Sequence, residues 1–367
     1  MAMRQTKMRA VRIQRASDAV ESMPYSADNP APPSALHLEN EVPIPQLEQP
    51  GEILIRVHAA TVTRDELTWP ETYQSDRLSL GHDFAGEVVS VFDNNILDNG
   101  QMLRIGDYVY GMTAATGKGS TWAEFAVVSA NEVARKPANL DWASSATVPM
   151  SALTAWQALY VHAGVTEPDP TFRPITNHEA NSSISKKISP LVKLLVTGAS
   201  GAVGSYLVQL GALSRLHVTT ASSSKARNAG FLRSLGGDQV VEYEDLLDKR
   251  NEYDIIIDTV GGQYLESCWR LVKDEGCLIT VDSSSLGFVE KHTTLLLAGG
   301  KEKVKALDFI VEPSNVQLKK IATLAELGLL KGFVAQAFPF NKACEAYEMA
   351  SKRQTREGKI VLLMQVS

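Results

Sequence analysis

Three glycines stand at every third position, directly after an apolar run. They are Gly198, Gly201 and Gly204, in the stretch LLVTGASGAVGSYLVQLG over residues 194–211. An apolar strand before such a turn and an amphipathic helix after it form the context in which glycines allow a tight turn and close approach of the backbone to a pyrophosphate. The N-terminus of the helix then offers unpaired N–H groups and partial positive charge. We therefore predict a dinucleotide site, with a turn selected only for tight packing as the alternative.

The second strand of such a unit indicates which dinucleotide binds. An NAD site carries an acidic residue at the end of this strand, where it accepts hydrogen bonds from the ribose hydroxyls. The corresponding stretch here, LHVTTASSSKAR over residues 216–227, has no carboxylate, and it offers Ser222, Ser223 and the cation of Lys225. Hydroxyl donors and positive charge suit a 2′-phosphate, so NADPH is the predicted cofactor. The alternative is that Lys225 is only a solvated lysine in the first turn of the next helix.

The surrounding patterns predict two kinds of structure. Short strands separated by turns fill the first ~150 residues and suggest a compact β barrel or bent sheet. Helical periodicity begins at residues 151–162, and a polar Pro-, Ser- and Asn-rich segment follows over residues 164–190. We interpret that segment as a long surface loop, with a lid as the alternative. Strand and helix patterns then alternate, which predicts a parallel sheet with helices on both faces.

Composition narrows the class of protein. The 367 residues suit two domains, and a net charge of −6 without long single-sign blocks argues against nucleic acid as a partner. No apolar run approaches the ~20 residues that cross a bilayer, so no membrane partner is expected. The basic start reads as an opening strand with about seven residues before it, which does not favour a targeting segment. Three cysteines, an odd and sparse set, fit a reducing compartment, and we expect a cytoplasmic protein.

Six separated motifs occur in an order that resembles the medium-chain dehydrogenase/reductase superfamily, closest to its zinc-independent quinone oxidoreductase and enoyl reductase branches. They are GHDFAGEVVSV (81–91), GDYVYG (106–111), ATVPMSALTAWQAL (146–159), the glycine turn, DTVGG (258–262) and GKIVL (358–362). The resemblance implies an α/β protein in which a Rossmann domain is inserted into a GroES-like, β-rich catalytic domain. It places the catalytic domain at 1–155, the NADPH-binding domain at 156–311 and a segment returning to the catalytic domain at 312–367, with the active site in the cleft between the domains.

The resemblance also implies individual site residues. Zinc-dependent members carry a catalytic cysteine and the histidine of a GHE motif, whereas this chain has no cysteine before Cys268 and has Asp83 after His82. A zinc site needs three or four convergent ligands, so no metal is expected. Many zinc-free relatives have Asn-Pro where this chain has Thr63-Arg64, so Thr63 is a catalytic candidate together with Tyr73, the nearest phenol. The expected cofactor contacts are Thr154, Gly198, Ser200, Gly201, Ala202, Val203, Gly204, Ser222, Ser223, Lys225, Tyr243, Val260, Gly261 and Lys359.

The expected reaction follows from the absence of a Lewis acid. Oxidation of a simple alcohol would then need a base of suitable pKa, whereas reduction of a polarised C=C bond needs only hydride and donors that hold the developing oxyanion. We expect an NADPH-dependent reductase of enones, enoyl thioesters or quinones, with a small conjugated carbonyl compound or quinone as its partner. The alternatives are a metal-free carbonyl reductase or alcohol dehydrogenase, and a catalytically silent NADPH-binding protein. A homodimer is a further alternative, by analogy with relatives.

Overall fold

The structure is a computed structural model that describes residues 6–14, 25–73, 80–92, 102–115, 118, 120–170, 191–352 and 357–364. The chain divides into two compact units. The first comprises Met1–Leu153, Glu312–Glu326 and Lys331–Ser367, and the second comprises Thr154–Val311 with Leu327–Leu330. Most of the predicted loop or lid at 164–190 lies outside the described residues.

Fifteen strands and nine α-helices make up the described part of the chain. The strands are β1 (Lys7–Ile13), β2 (Leu36–Pro43), β3 (Glu52–Val62), β4 (Asp83–Val91), β5 (Tyr108–Met112), β6 (Phe125–Ser129), β7 (Val133–Arg135), β8 (Lys193–Val196), β9 (His217–Ser222), β10 (Gln239–Glu242), β11 (Tyr253–Asp258), β12 (Val272–Thr280), β13 (Lys305–Asp308), β14 (Val334–Pro339) and β15 (Lys359–Leu363). The helices are α1 (Trp142–Ala146), α2 (Pro149–Trp156), α3 (Ala202–Leu213), α4 (Lys225–Ser234), α5 (Gly262–Leu271), α6 (Phe288–Lys291), α7 (Thr293–Ala298), α8 (Asn315–Glu326) and α9 (Ala343–Ser351).

The first unit is built on a seven-stranded sheet. Its strands follow the order β14-β15-β3-β4-β5-β7, and β6 also pairs with β3. All the pairings are antiparallel except that between β14 and β15. The central strand β3 alternates fully buried and partly exposed positions over its first half, as the period of two in EILIRVH requires. This sheet matches the predicted β-rich first domain, whereas its strands β7 and β14 had not been predicted, nor had β2, which pairs with β1 in a separate two-stranded sheet.

The second unit is a parallel sheet with the order β10-β9-β8-β11-β12-β13. Numbered within the unit, this order is 3-2-1-4-5-6, the doubly wound arrangement of dinucleotide-binding folds. The predicted α/β class is therefore confirmed. In such sheets, ligands bind at the carboxyl ends of the strands where the order reverses, which here is the edge between β8 and β11.

One helix of the sequence differs from its predicted form. Residues 151–162 were expected to be a single α-helix, but α2 ends at Trp156 and a π-helix continues over Gln157–His162. Among the described residues, no helix combines the length and the apolar character needed to span a bilayer.

Two helical glycines differ in the space around them. A Cβ on Gly211 in α3 would lie 2.9 Å from Leu194 Cδ2 and 3.1 Å from Val218 Cγ2, so the helix packs on the sheet through this glycine. A Cβ on Gly230 in α4 would meet no atom within 4 Å. Only the first glycine is therefore required by packing.

Alanine at these two positions should have opposite effects on stability. Gly230→Ala should raise the free energy of unfolding by about 0.5–1 kcal/mol, because alanine loses less backbone entropy in a helix. Gly211→Ala should lower it by about 1–3 kcal/mol through overpacking. Chemical denaturation of both variants checks the pair, and a stabilising Gly211→Ala would contradict the packing of α3 on β8 and β9.

Candidate functional site

The glycine turn lies at the carboxyl end of β8, between that strand and α3. Gly198 has a φ of +60°, a left-handed conformation that favours glycine. A Cβ there would lie 2.3 Å from Thr259 Oγ1. A Cβ on Gly204 would lie 2.3 Å from the Gly198 carbonyl oxygen and 2.7 Å from Ala199 Cα. The first turn of α3 therefore packs directly on the backbone of the loop, which no other residue type permits.

The N-terminus of α3 offers backbone donors. Gly201 caps the helix without a side chain, and the Gly201 carbonyl accepts the N–H of Ser205 at 3.0 Å. The N–H groups of Ala202, Val203 and Gly204 precede this bond, so they have no acceptor within the helix. Three N–H groups at the positive end of a twelve-residue helix suit the diphosphate of a nicotinamide dinucleotide. Ser200 lies beside them, partly exposed.

Asp258 ties the strand ends around this turn. Its buried carboxylate accepts hydrogen bonds from Thr197 Oγ1 at 2.5 Å and Thr280 Oγ1 at 2.9 Å. It also accepts the backbone N–H of Gly261 at 2.9 Å and that of Val260 at 3.3 Å. Burial raises the pKa of Asp258, and these donors oppose that shift. The ends of β8, β11 and β12 are thus fixed by one side chain that had not been predicted as part of the site.

Tyr243 contacts the glycine turn directly. Its hydroxyl accepts the N–H of Gly198 at 3.0 Å, and its ring stacks on Tyr264 with 4.0 Å between centroids. Burial raises the pKa of Tyr243 to about 12, so the phenol is neutral. Tyr243 was predicted as a cofactor contact, and its observed bond shapes the loop in which the cofactor is expected.

The predicted 2′-phosphate residues lie at the end of β9. Ser222 is buried, and its hydroxyl donates to the Ser224 carbonyl at 3.4 Å, whereas Ser223 and Lys225 are exposed. The backbone N–H of Lys225 donates to Glu242 Oε1 at 2.6 Å. Glu242 is aligned with Ser222 across the parallel pair β9–β10. A carboxylate therefore lies at the end of the third strand, beside the end of the second strand, which carries none.

In the first unit, Lys359 forms a buried ion pair with Asp83. The ammonium group contacts Asp83 Oδ2, and the side chains of Lys359 and Asp83 are 7% and 0% exposed. Asp83 also accepts the hydroxyl of Thr61 at 2.7 Å and the N–H of Met150 at 2.7 Å. Lys359 was predicted to contact the cofactor, but this ion pair explains its burial without one. Thr154, also predicted there, is buried in α2.

Two further titratable groups are buried in the first unit. Glu66 accepts the N–H of Gly81 through Oε1, while its Oε2 has no hydrogen-bond partner. Burial raises the pKa of Glu66 to about 8, so this carboxyl is protonated at neutral pH. The Nδ1 atom of His82 lies 3.2 Å from Thr113 Oγ1, its Nε2 is unpartnered, and burial lowers its pKa. Both side chains are therefore held in their uncharged forms.

The two catalytic candidates differ in how far their hydroxyls are engaged. The Tyr73 hydroxyl donates to the Leu67 carbonyl at 2.5 Å and accepts the N–H of Ala31 at 2.9 Å. These bonds join two backbone segments and favour a structural role for Tyr73. Thr63 is partly exposed, and its hydroxyl makes no hydrogen bond to the described residues.

The residues that the structure describes do not fit a zinc ion. Within the described ranges, no group of three or more His, Cys, Asp or Glu side chains could hold a metal. His82 is a lone histidine, and the oxygens of the neighbouring Asp83 are occupied by Lys359, Thr61 and Met150. Zinc requires three or four convergent ligands, which these residues do not supply.

A doubly wound sheet whose glycine turn leads into an uncapped helix defines a dinucleotide-binding protein, and comparison with known proteins gives its family. Residues 49–138 match the alcohol dehydrogenase GroES-like domain, and residues 235–362 match the zinc-binding dehydrogenase domain. A probable zinc-binding oxidoreductase, mitochondrial, of Arthroderma benhamiae is 32% identical, over 92% of this chain and 96% of that protein.

Other relatives agree with this match. The NAD(P)H oxidoreductase RTN4IP1, mitochondrial, of Homo sapiens is 26% identical over 89% of this chain and 85% of that protein. The solved structure of the quinone oxidoreductase from Coxiella burnetii superposes with a TM-score of 0.73 at 23% identity, covering 98% of this chain and 100% of that one. The chain belongs to the medium-chain dehydrogenase/reductase superfamily, in its quinone oxidoreductase-like branch. It is an NAD(P)H-dependent oxidoreductase.

The close packing at the turn predicts different costs for alanine at two of its glycines. Gly204→Ala should lower the free energy of unfolding by about 1–3 kcal/mol, since its Cβ would overlap the loop backbone. It should also weaken NADPH binding, because the N-terminus of α3 must move. Gly201→Ala should cost less than about 1 kcal/mol, because its Cβ would lie 3.1 Å from the nearest atom, the Gly198 carbonyl oxygen. Denaturant unfolding and NADPH fluorescence titration check both, and equal costs would contradict the observed packing.

Burial of Glu66 predicts a pH-dependent stability difference. Its pKa is about 8 in the folded chain and near 4.5 when unfolded. The folded state therefore holds a proton that the unfolded state releases, and the contribution of Glu66 to stability is full below pH 4.5 and is lost as the pH rises to 8. The free energy of unfolding of Glu66→Gln should therefore rise relative to that of the parent chain between pH 5 and 8, by up to about 1.4 kcal/mol per pH unit.

Urea unfolding of both proteins at several pH values measures this difference. Asp65→Asn, which removes a partly exposed carboxyl from the same turn, is the control for the loss of a carboxyl there. A constant offset between Glu66→Gln and the parent chain would show that Glu66 is ionised when folded.

Proposed function

We propose that the protein is an NADPH-dependent, zinc-independent reductase that transfers hydride to a polarised C=C bond, in an enone or enoyl compound, or to a quinone. The observation that carries this proposal is the backbone cradle in which only glycine fits at Gly198 and Gly204, and which leads through Gly201 into an uncapped helix. When bound, the nicotinamide supplies hydride from its C4 position.

The chain's own residues would then bind and orient the cofactor. The free N–H groups of Ala202, Val203 and Gly204 would hold the diphosphate. Val260 and Gly261, fixed by Asp258 at the neighbouring strand end, would border the same edge of the sheet. Ser222, Ser223 and Lys225 support the choice of the phosphorylated cofactor, because they supply hydroxyls and a cation at the end of β9.

Thr63 would act on the substrate. Negative charge develops on the carbonyl oxygen when hydride adds to a conjugated C=C bond, and a donor at that oxygen lowers the barrier. The Thr63 hydroxyl is partly exposed and free of bonds to described residues, so it can donate without breaking an existing contact. The hydroxyl of Tyr73 already serves two backbone groups, which makes it the weaker of the two predicted candidates.

The zinc-independent route is supported by the surroundings of His82 and Asp83, at the start of the motif GHDFAGEVVSV. Lys359 neutralises Asp83, and burial keeps His82 uncharged with Nδ1 directed at Thr113. A charge-neutral set of this kind offers hydrogen bonds rather than metal ligands. Hydride addition to an activated bond requires no Lewis acid when donors are available.

Purified protein should oxidise NADPH in the presence of a member of an enone, enoyl thioester or quinone panel. Product analysis distinguishes the reactions, because a saturated carbonyl compound and an alcohol differ in mass and in carbonyl absorbance. Alcohol formation would instead support a metal-free carbonyl reductase, and activity abolished by a chelator and restored by zinc would overturn the zinc-independent route. NADPH binding without turnover of any acceptor would indicate a silent binding protein.

Removal of the Thr63 hydroxyl should slow the reaction. Thr63→Ala should lower kcat/KM by roughly 10- to 100-fold, since one donor to the developing oxyanion is lost. Thr63→Ser should restore most of this loss. Thr68→Ala is the control: it removes an exposed threonine hydroxyl, which donates to the Asp65 carbonyl at 2.7 Å, from the 3-10 helix Glu66–Thr68, and it should leave kcat/KM within about twofold. Steady-state kinetics with the best acceptor measure all three, and an unchanged Thr63→Ala would exclude Thr63 as the donor.

A further inference from the structure

Glu242 lies close to the position that is expected for the adenosine ribose of the cofactor. It is the last residue of β10, aligned with Ser222 at the end of β9. Its Oε1 lies 2.6 Å from the backbone nitrogen of Lys225, the first residue of α4. In doubly wound sheets, the end of the second strand faces the adenosine ribose, and a carboxylate there accepts the ribose hydroxyls. Here the acceptor comes from the adjacent strand.

The N-terminus of α4 is already occupied by side chains of the protein. Glu242 takes the N–H of Lys225, and Ser224 Oγ accepts the N–H of Arg227 at 3.4 Å. A helix N-terminus attracts anions, and a carboxylate there competes with a phosphate for the same donors. A phosphate would bring about −1.5 to −2 charges beside an existing carboxylate. A neutral 2′-hydroxyl can instead donate a hydrogen bond to it.

The other charges around Glu242 do not cancel this conflict. Lys225 and Arg227 are exposed cations on α4, and solvent screens their attraction for a phosphate. Glu244 and Asp245 are exposed carboxylates in the next turn, and Asp245 Oδ2 accepts the N–H of Glu242 at 3.0 Å. The end of β9 and β10 therefore presents both a phosphate-binding set and a phosphate-repelling set.

We propose that Glu242 is a specificity-determining residue that limits the preference for NADPH over NADH. Its carboxylate holds the N-terminus of α4 against a 2′-phosphate and accepts the 2′-hydroxyl of NADH, while Ser222, Ser223 and Lys225 favour the phosphate. The chain consequently prefers NADPH over NADH by no more than about tenfold. This inference rests on the cofactor site of the proposed function but not on the identity of the acceptor.

Two nucleotide fragments test the proposal without any turnover. Calorimetric titration with 2′,5′-ADP and with 5′-AMP isolates the ribose end of the site, because neither fragment carries nicotinamide. The parent chain should bind the two within about tenfold of each other. Glu242→Gln, which keeps an oxygen for the Lys225 N–H, should bind 2′,5′-ADP about five- to tenfold more tightly, since a like charge is removed near the phosphate. Its affinity for 5′-AMP should fall or stay within about twofold.

Matched variants separate this effect from a general change in charge. Glu244→Gln removes the same charge two residues along the chain and should leave both affinities within about twofold. Lys225→Ala should weaken 2′,5′-ADP alone, in both the parent chain and Glu242→Gln. Glu242→Ala, which removes the contact altogether, should shift selectivity in the same direction as Glu242→Gln.

Four outcomes would overturn the proposal. They are a parent chain that binds 2′,5′-ADP over a hundredfold more tightly than 5′-AMP, Glu242 variants that leave selectivity unchanged, variants that change both affinities equally, and an equal effect of Glu244→Gln. Failure of both fragments to bind would refute the cofactor site itself, and this inference with it. Selective binding in a protein that reduces no acceptor would refute only the proposed reaction.

Discussion

The close approach of two backbone segments after β8 is the constraint on which the second unit depends. The first turn of α3 lies on the carbonyl of Gly198, at a separation that excludes even one methyl group on Gly204. The loop is held in place from other strands: Tyr243 binds the Gly198 N–H, and Asp258 joins Thr197 to the end of β12. Because these contacts all come from the protein, the N–H groups of α3 are oriented before any ligand binds, and binding a diphosphate requires little reorganisation.

In the first unit, burial decides which groups carry charge. The buried carboxylate of Asp83 is paired with a buried cation, Lys359, and accepts hydrogen bonds from two further donors, Thr61 and Met150. At Glu66 and His82, nearby charges and hydrogen bonds offset burial only in part, and desolvation shifts the pKa of each toward its neutral form. Among the described residues of this region, the ion pair of Asp83 and Lys359 therefore lies beside two side chains that burial keeps uncharged.

The sequence allowed the fold and the turn to be predicted because both depend on local signals. The glycine spacing, the alternation of strands and helices and the order of the motifs lie along the chain. The individual contacts of Tyr73, Tyr243 and Lys359 could not be predicted in the same way. Each of these side chains bonds to a group far away in sequence. Lys359 on β15, for example, reaches Asp83 on β4, and strand β3 lies between these two strands in the sheet. The family resemblance indicated Tyr243 and Lys359, and residue type indicated Tyr73, whereas the bonding partner of each depended on how the strands are arranged.

The position of Glu242 also depends on strand order, and here strand order affects the choice between NADPH and NADH. A rule that inspects the end of the second strand finds serines and a lysine there and predicts a 2′-phosphate. In a parallel sheet, however, the carboxyl ends of neighbouring strands meet at one edge, so the ribose end of the site is assembled from β9 and β10 together. The electrostatic character of that edge is the sum over both strands and over the helix N-terminus that Glu242 caps. Cofactor preference in this fold is therefore a property of adjacent strand ends, and a pattern read along one strand gives only part of it.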